Sequence, residues 1–166
     1  MYFTKITLAL SVVVLFTFIA VKHVGACECS RREKEAPVSE AFEKAEMVIT
    51  GTVVSKPDEN GWLDQHSVKV RVEKTYKGKV KVGDVLIFGQ ARGADCRWYF
   101  TKEKVGKTYL FYLAKPTKEA PYKSNENIEI SDPELKYYPS ICGRSADIEK
   151  AASDITYLDK LSPPEP

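Results

Sequence analysis

The sequence predicts a mainly β domain, closed as a barrel or folded as a sandwich, with one short helix before the first strand and another near the carboxyl end. Two observations carry this prediction. Segments rich in β-branched and aromatic residues recur along the chain, and turns that contain glycine separate them. Many short strands at such spacing are typical of all-β barrels and sandwiches, and 166 residues suit a single domain of this kind.

The elements follow from the hydrophobic pattern. Apolar residues at helical spacing predict a helix over 38–45 with Ser39 as its cap. In the second strand Val68, Val70 and Val72 are expected to point inward, while Lys69, Arg71 and Glu73 point outward. Strands are predicted at 47–56, 67–76, 84–90, 96–100 and 107–115, with an Asn-Gly turn in 57–62 and further turns at Gly78, Gly83 and Gly106.

The last third of the chain is predicted to begin with a polar, proline-rich surface excursion. It covers 114–139 and contains one short strand at 127–130. After Cys142, apolar residues return at helical spacing. They predict a final helix that Ser145 caps and that Pro163-Pro164 ends.

The amino-terminal segment has the layout of a secretion signal. The run from Ile6 to Val21 is almost wholly apolar, follows Lys5, and gives way to the small residues Gly25 and Ala26. A membrane anchor is the alternative, but a spanning helix needs about 20 apolar residues. We therefore expect residues 1–26 to be a signal peptide and 27–166 to be a secreted, extracellular domain without further contact with the membrane.

The balance of charge argues against a nucleic-acid partner. The chain has 25 basic and 23 acidic residues, and removal of the signal with Lys5 and Lys22 makes the two numbers equal. The short basic run at 31–34 includes an acid of its own, so no basic footprint remains.

Four cysteines in a secreted chain predict two disulfides. A bridge from Cys27 to Cys29 would close a strained ring, which leaves two crossed pairings with Cys96 and Cys142. Two alternatives concern Cys27 itself. It could belong to a redox pair with Cys29, although such sites use a two-residue spacer, or it could be acylated, because Val24-Gly25-Ala26-Cys27 loosely fits a lipobox.

No catalytic constellation is predicted, and neither is a cofactor of the protein's own. His66 is the one histidine left after signal removal, and a lone imidazole without ligands at metal-binding spacing is expected to lie in a solvated loop. The glycine-containing run GQARG at 89–93 lacks the lysine of a phosphate-binding loop and is expected to be a barrel loop. We expect a protein that is not an enzyme.

The order of landmarks resembles a known family. An amino-terminal Cys-x-Cys is followed by AFEKAEMVITGTV at 41–53, by an internal cysteine with an aromatic run and Gly106-x-x-Tyr109-Leu110, and by SICGRS at 140–145 before the final helix. This pattern resembles the netrin-like domain of the tissue inhibitors of metalloproteinases, in its short single-domain form. The resemblance implies a five-stranded OB-fold barrel flanked by helices at both ends, with bridges Cys27–Cys96 and Cys29–Cys142.

The resemblance also implies a function and a site. The partner would be a secreted zinc metalloproteinase, whose catalytic zinc is chelated by the α-amine and carbonyl oxygen of Cys27. Zinc would then enter only through the target. The implied proteinase-binding residues are Cys27, Glu28, Cys29 and Ser30 as the wedge, with Asp95, Cys96 and Arg97 beside them. The loop 56–66 with Trp62 is expected either to add contacts or to cover the barrel.

The sequence departs from the family pattern at two positions, and the first of them favours a rival function. Glu28 occupies a position that is commonly small or hydroxylated in the family, and burying its charge in an apolar pocket would be costly. Glu43 stands where larger relatives carry a further cysteine. The rival is a netrin-like module that binds extracellular proteins or matrix and meets no zinc.

Overall fold

The computed structural model of the chain describes residues 36–58, 60, 63–64, 66–90, 97–119, 129–140 and 143–161. In this part of the chain, seven strands form one curled sheet of half-barrel shape, accompanied by two α-helices. The predicted mainly β, barrel-like fold is thereby confirmed at this level. The described sheet has seven strands where the resemblance implied five. The signal peptide and the boundary at 26/27 lie outside the described residues.

The longest strands lie in the middle of the sheet and the shortest at its two edges. In spatial order the strands run β5-β6-β3-β2-β1-β4-β7, and every neighbouring pair is antiparallel except β3 and β6, which are parallel. The elements are α1 Val38–Lys44, β1 Met47–Val53, β2 Ser67–Lys77, β3 Val85–Gly89, a 3₁₀ turn Lys102–Lys104, β4 Thr108–Leu113, β5 Thr117–Lys118, β6 Leu135–Tyr137, β7 Ala146–Asp147 and α2 Ala152–Leu161.

The four long strands and the first helix lie where the hydrophobic pattern predicts them. The predicted turns at Gly78, Gly83 and Gly106 are confirmed, since all three glycines have positive φ. β1 is buried on both faces because the sheet has two cores. Ile49 and Val53 join the core inside the curl with Phe88 and Phe111, whereas Val48 joins the core that packs beneath the helices.

The cap predicted for α1 is wrong. Ser39 lies inside the helix, and the cap position is Pro37, which has extended backbone angles and whose carbonyl accepts from Ala41 N at 3.0 Å. At the other end Lys77 donates to the carbonyls of Phe42 and Glu43, both at 2.9 Å. A cation at the carboxyl end of a helix satisfies its last carbonyls and its dipole.

The prediction that Lys69 points to solvent is also wrong, because its residue is only 1% exposed. Lys69 pairs across the sheet with Ile87, which is equally buried. The chain after β1 continues alongside this residue: Val54 N donates to Lys69 O at 2.9 Å, and Lys69 N donates to the Ser55 hydroxyl at 2.7 Å. Arg71 and Glu73, further along the strand, are exposed as predicted.

Two strand predictions on the connections fail within the described residues. The aromatic run at 97–100 forms only a single bridge at Arg97, because Phe100 N donates to the Gln90 side chain at 2.6 Å instead of to a strand. Residues 129–130 are not in a strand, and 127–128 lie outside the described residues. The excursion over 114–139 is more than surface, since β6 pairs with β3 and buries Tyr137.

The final helix begins later than predicted, at Ala152. Ser145 is not its cap: the Ser145 hydroxyl accepts from Tyr112 N at 2.9 Å, and the next two residues form β7. The Ser145 side chain therefore bonds the backbone of β4 and not the start of the helix. A turn at 148–151 separates β7 from α2. No helix among the described residues is long and apolar enough to cross a membrane.

Candidate functional site

Of the residues predicted to bind a proteinase, the structure describes Arg97. Cys27, Glu28, Cys29, Ser30, Asp95 and Cys96 lie outside the described residues, and so do Cys142 and Trp62. The disulfide pairings, the zinc-chelating role of Cys27 and the acylation and redox alternatives therefore stay predictions. The described neighbours of these residues define the candidate site.

Arg97 lies at a junction between two chain segments. It forms an antiparallel bridge with Ser140. The next residue, Trp98, secures the junction twice: its backbone N–H donates to Pro139 O at 3.0 Å, and its indole Nε1 donates to Ser140 O at 3.1 Å. We call this junction the 97–140 edge. The two segments that meet there are those that contain Cys96 and Cys142 in the sequence.

The Arg97 side chain is held by an aromatic ring. Its guanidinium carbon lies 3.9 Å from the ring centroid of Tyr138, which is a close cation–π contact. The Tyr138 hydroxyl donates to Glu119, and Lys136 donates to the other oxygen of that carboxylate at 2.6 Å. These contacts hold the exposed Arg97 side chain in one orientation.

The charges around Glu119 explain its titration. Bonds from Lys136 and Tyr138, with the charge of Arg97, hold the pKa of Glu119 below its ordinary value of 4.5. Burial and the bond to Glu119 raise the pKa of Tyr138 to about 12. At neutral pH the Glu119 carboxylate is therefore charged and the Tyr138 phenol is neutral. The phenol then keeps the proton with which it donates a hydrogen bond to the carboxylate.

Gly89 makes room for the Tyr138 ring. A Cβ atom at Gly89 would lie 2.0 Å from Tyr138 Cε1, far inside van der Waals contact. The last residue of β3 must therefore lack a side chain for Tyr138 to lie under Arg97. The predicted barrel loop at 89–93 begins here, and its residues 91–93 lie outside the described part.

Arg144, in the segment that follows Cys142, links α2 to the residue that precedes Pro37 and α1. Its Nε and Nη2 donate to the Asp154 carboxylate of α2 at 2.8 and 2.5 Å, and its Nη1 donates to Ala36 O at 2.6 Å. The Tyr112 hydroxyl also donates to Asp154, at 3.1 Å. The bond and charge of Asp154 raise the pKa of Arg144, and burial with the charge of Asp154 raises that of Tyr112.

The remaining sequence candidates have structural roles or lie in loops. His66 is exposed, as predicted, and its backbone N–H donates to Asp64 Oδ1 at 2.8 Å. Gln90, which sequence reasoning passed over as loop, is buried and joins Asp64 O to Phe100 N through its amide. Among the described residues, no group of three His, Cys, Asp or Glu side chains is placed to hold a metal ion.

Sequence reasoning missed the partners that organise the site, namely Tyr138, Glu119 and Asp154. Arg144 had a signal, since it stands in the SICGRS landmark, but its partner lies ten residues further along the chain. A scan against protein-family models gives no match for this chain, and a search of curated proteins gives no significant match either.

Proposed function

We propose that the chain is a secreted, inhibitor-like protein that acts on zinc metalloproteinases and is built on a netrin-like domain of the OB type. Cys27 would be its first residue and would bind the target's catalytic zinc. Glu28, Cys29 and Ser30 would follow it into the cleft, and the 97–140 edge would flank it. The single observation that carries the proposal is the pairing of Arg97 with Ser140.

The argument from this pairing concerns the cysteines on either side of it. In an antiparallel bridge the two chains run in opposite directions, so a continuation of the Arg97–Ser140 pairing would bring the position before Arg97 and those after Ser140 to one edge. Cys96 and Cys142 occupy these positions in the sequence. Bridges from Cys27 and Cys29 would then fasten the amino terminus to this edge in either crossed pairing. A family-like arrangement requires such an edge.

The contact between Arg144 and Ala36 supports the same arrangement from the other side. Ala36 O accepts a hydrogen bond from Arg144 Nη1 at 2.6 Å. Arg144 stands two residues beyond Cys142 in the sequence. Extended chain covers roughly 3.3–3.6 Å per residue, so the six residues between Cys29 and Ala36 could span on the order of 20 Å on the way to this edge. Ala36, the first described residue after the proposed wedge, thus contacts a residue two positions beyond the cysteine expected to anchor that wedge.

The proposed chemistry is coordination without catalysis. A free α-amine titrates near 7.7–8.0, so a useful fraction is neutral at physiological pH and can donate its lone pair. A catalytic zinc keeps an open position for such a ligand. Two bridges only one residue apart would hold the amine and the carbonyl oxygen rigid before binding, which lowers the entropic cost of association.

Glu28 favours a second candidate function, a netrin-like module that binds an extracellular protein or matrix without inhibition. Burying an unpaired carboxylate in an apolar pocket costs on the order of several kcal/mol, because the charge loses its hydration. A target with a basic or wide pocket would avoid this cost. The two candidates therefore differ in whether any zinc proteinase accepts the acidic residue.

The secreted protein itself tests the proposal. Intact mass and amino-terminal sequencing should show a chain that begins at Cys27 with a free amine and no free thiol. The same preparation is titrated against a panel of zinc proteinases, and at least one should be inhibited at one-to-one stoichiometry. An added acyl mass, or four alkylatable thiols, contradicts the proposed terminus; a correct terminus with no inhibition of any member favours the binding module.

A further inference from the structure

An open groove lies next to the 97–140 edge, between the segment 98–107 and β7. Its volume is about 560 Å³, within the range of sites that hold small ligands or peptide side chains. One wall is aromatic and the rim carries charge. The residues that matter here are Trp98, Lys104, Lys107, Tyr109, Asp147 and Lys150.

The aromatic wall is rigid. The Trp98 ring makes edge contacts with Tyr109 and Phe111, at centroid distances of 5.3 and 5.7 Å. Its Nε1 bond to Ser140 O fixes the remaining rotation of the indole. Because the ring is only partly buried, one part of its surface lines the groove and can receive an apolar side chain.

Lysines line the rim, and one of them is held in place. Lys104 Nζ lies 5.5 Å from the Trp98 ring centroid and 5.6 Å from that of Phe100, and it donates to Tyr99 O at 2.9 Å. Burial and the nearby Lys107 ammonium lower the pKa of Lys104. An ammonium has three donors, so a carboxylate can take another N–H and relieve the repulsion between the two cations.

The groove also carries negative charge. Asp147 lines the groove together with Lys104 and Tyr109, and burial with the charge of Asp147 raises the pKa of Tyr109. Glu103 also lines the groove. A polysulfated chain would meet these carboxylates unfavourably. A peptide suits both signs, because its acidic side chains can pair with the lysines while its backbone N–H groups donate to Asp147.

A second, smaller cavity extends the apolar surface. It measures about 210 Å³ and is lined by Leu63 and Phe100 among others. Tyr99, whose residue is 40% exposed, lines both cavities, as do Thr101 and Glu103. A peptide that crosses Tyr99 could thus place one apolar side chain in each cavity.

We propose that this groove binds an acidic peptide segment of a partner protein, with a carboxylate between Lys104 and Lys107 and a neighbouring apolar side chain on Trp98. The inference goes beyond metalloproteinase inhibition and holds whether or not the amino terminus chelates zinc.

The test is a titration of the full secreted protein, labelled with ¹⁵N, with acetyl-Glu-Phe-Glu-Phe-Glu-amide. Saturable shifts are expected at the Trp98 indole N–H and at the amides of Lys104 and Lys107, and they should weaken as salt screens the charges. Lys104→Gln combined with Lys107→Gln should weaken binding about tenfold, as expected for two partly exposed ion pairs. Lys79→Gln with Lys81→Gln, on the β2–β3 hairpin, is the matched control and should leave affinity unchanged.

Other outcomes overturn the proposal. Equal binding of a control peptide in which glutamine replaces each glutamate would mean that charge has no part in recognition. A sulfated heparin-derived hexasaccharide that shifts these resonances when the acidic peptide does not would make the groove a polyanion site. An absence of saturable shifts at millimolar peptide, or unchanged binding by the double lysine variant with a native-like spectrum, equally contradicts it.

Discussion

The guanidinium of Arg144 and the carboxylate of Asp154 meet through two roughly parallel bonds of 2.8 and 2.5 Å. The Asp154 side chain is 7% exposed and that of Arg144 is 22% exposed. Bidentate pairs of this kind are the strong members of their class. Because Arg144 also donates to Ala36 O, the pair joins α2 both to the segment 143–145 and to Ala36.

Asp154→Asn should lower the free energy of unfolding by about 2–3 kcal/mol, because it removes the charge that compensates a largely buried guanidinium. Urea denaturation at neutral pH measures the change. Asp159→Asn on the same helix is the control: its bond to Lys74 joins two side chains that are 46% and 42% exposed, so the loss should stay below about 1 kcal/mol. Equal losses in the two variants would contradict the special role of Asp154.

Gly89→Ala should destabilise the domain by about 1–3 kcal/mol, since the new methyl group must displace the Tyr138 ring. Loss of the ring contact would also free Arg97. Gly143→Ala is the matched control, because among the described residues the nearest atom, Ser140 O, would be 3.7 Å from the new Cβ. Tyr138→Leu in the Gly89→Ala background should recover part of the stability; without such recovery, the steric explanation fails.

Glu119 should make stability depend on pH in the acid range. Its pKa is lower in the folded protein than its ordinary value of 4.5, so its contribution is present above that pH and is lost as pH falls through the folded value. Thermal unfolding from about pH 6 to about pH 3 should therefore show a smaller loss of stability for Glu119→Gln than for the parent protein. Parallel curves for the two proteins would refute the contribution.

The strands could be predicted because side-chain alternation and turn glycines are local signals. Val68, Val70 and Val72 face the core as their spacing indicates. Periodicity assigns residues to a face but does not tell where other chain segments cover that face, which is why Lys69 was wrongly placed in solvent. Ser145 is a second example. A serine before a helical pattern predicts a cap, but the Ser145 hydroxyl accepts its hydrogen bond from Tyr112 N of β4, which is distant in sequence.

The candidate site was less predictable than the sheet. Arg97 was named through a resemblance, but its stacking on Tyr138 and its pairing with Ser140 join residues that are distant in sequence. Such contacts depend on how the connections fold back on the sheet, and composition or spacing carries no signal for them. The cysteines have an order in the chain that a family pattern can match, while their pairing needs an experiment.

The disulfide prediction can be tested by replacing one bridge. Cys29→Ser with Cys142→Ser should lower the free energy of unfolding by about 2–5 kcal/mol, as the loss of a native bridge does in small secreted domains. Peptide mapping of the parent protein should recover Cys27 with Cys96 and Cys29 with Cys142. An unchanged melting temperature, or the other crossed pairing in the map, would show that these partners are wrong.

Zinc chelation can be separated from folding by moving the amine. One alanine added before Cys27 should abolish inhibition, because it displaces the α-amine from the metal and puts a peptide nitrogen in its place. The melting temperature should barely change, since the extension adds no residue to either core. A parent protein and an extended protein that inhibit equally would exclude coordination through Cys27.

Glu28→Thr should act in the opposite direction. The change removes a carboxylate that must lose its hydration in an apolar pocket. Inhibition of proteinases with such pockets should therefore become stronger, and the gain in binding free energy should be several kcal/mol at most. Glu28→Gln is the matched control, because it removes the charge and keeps the length, and it should improve inhibition less where the pocket is small. Inhibition constants for parent, Thr and Gln variants against the same panel make the comparison. If none of the three inhibits any member while the acidic peptide still binds beside Trp98, the domain acts through that groove and the zinc-directed proposal is wrong.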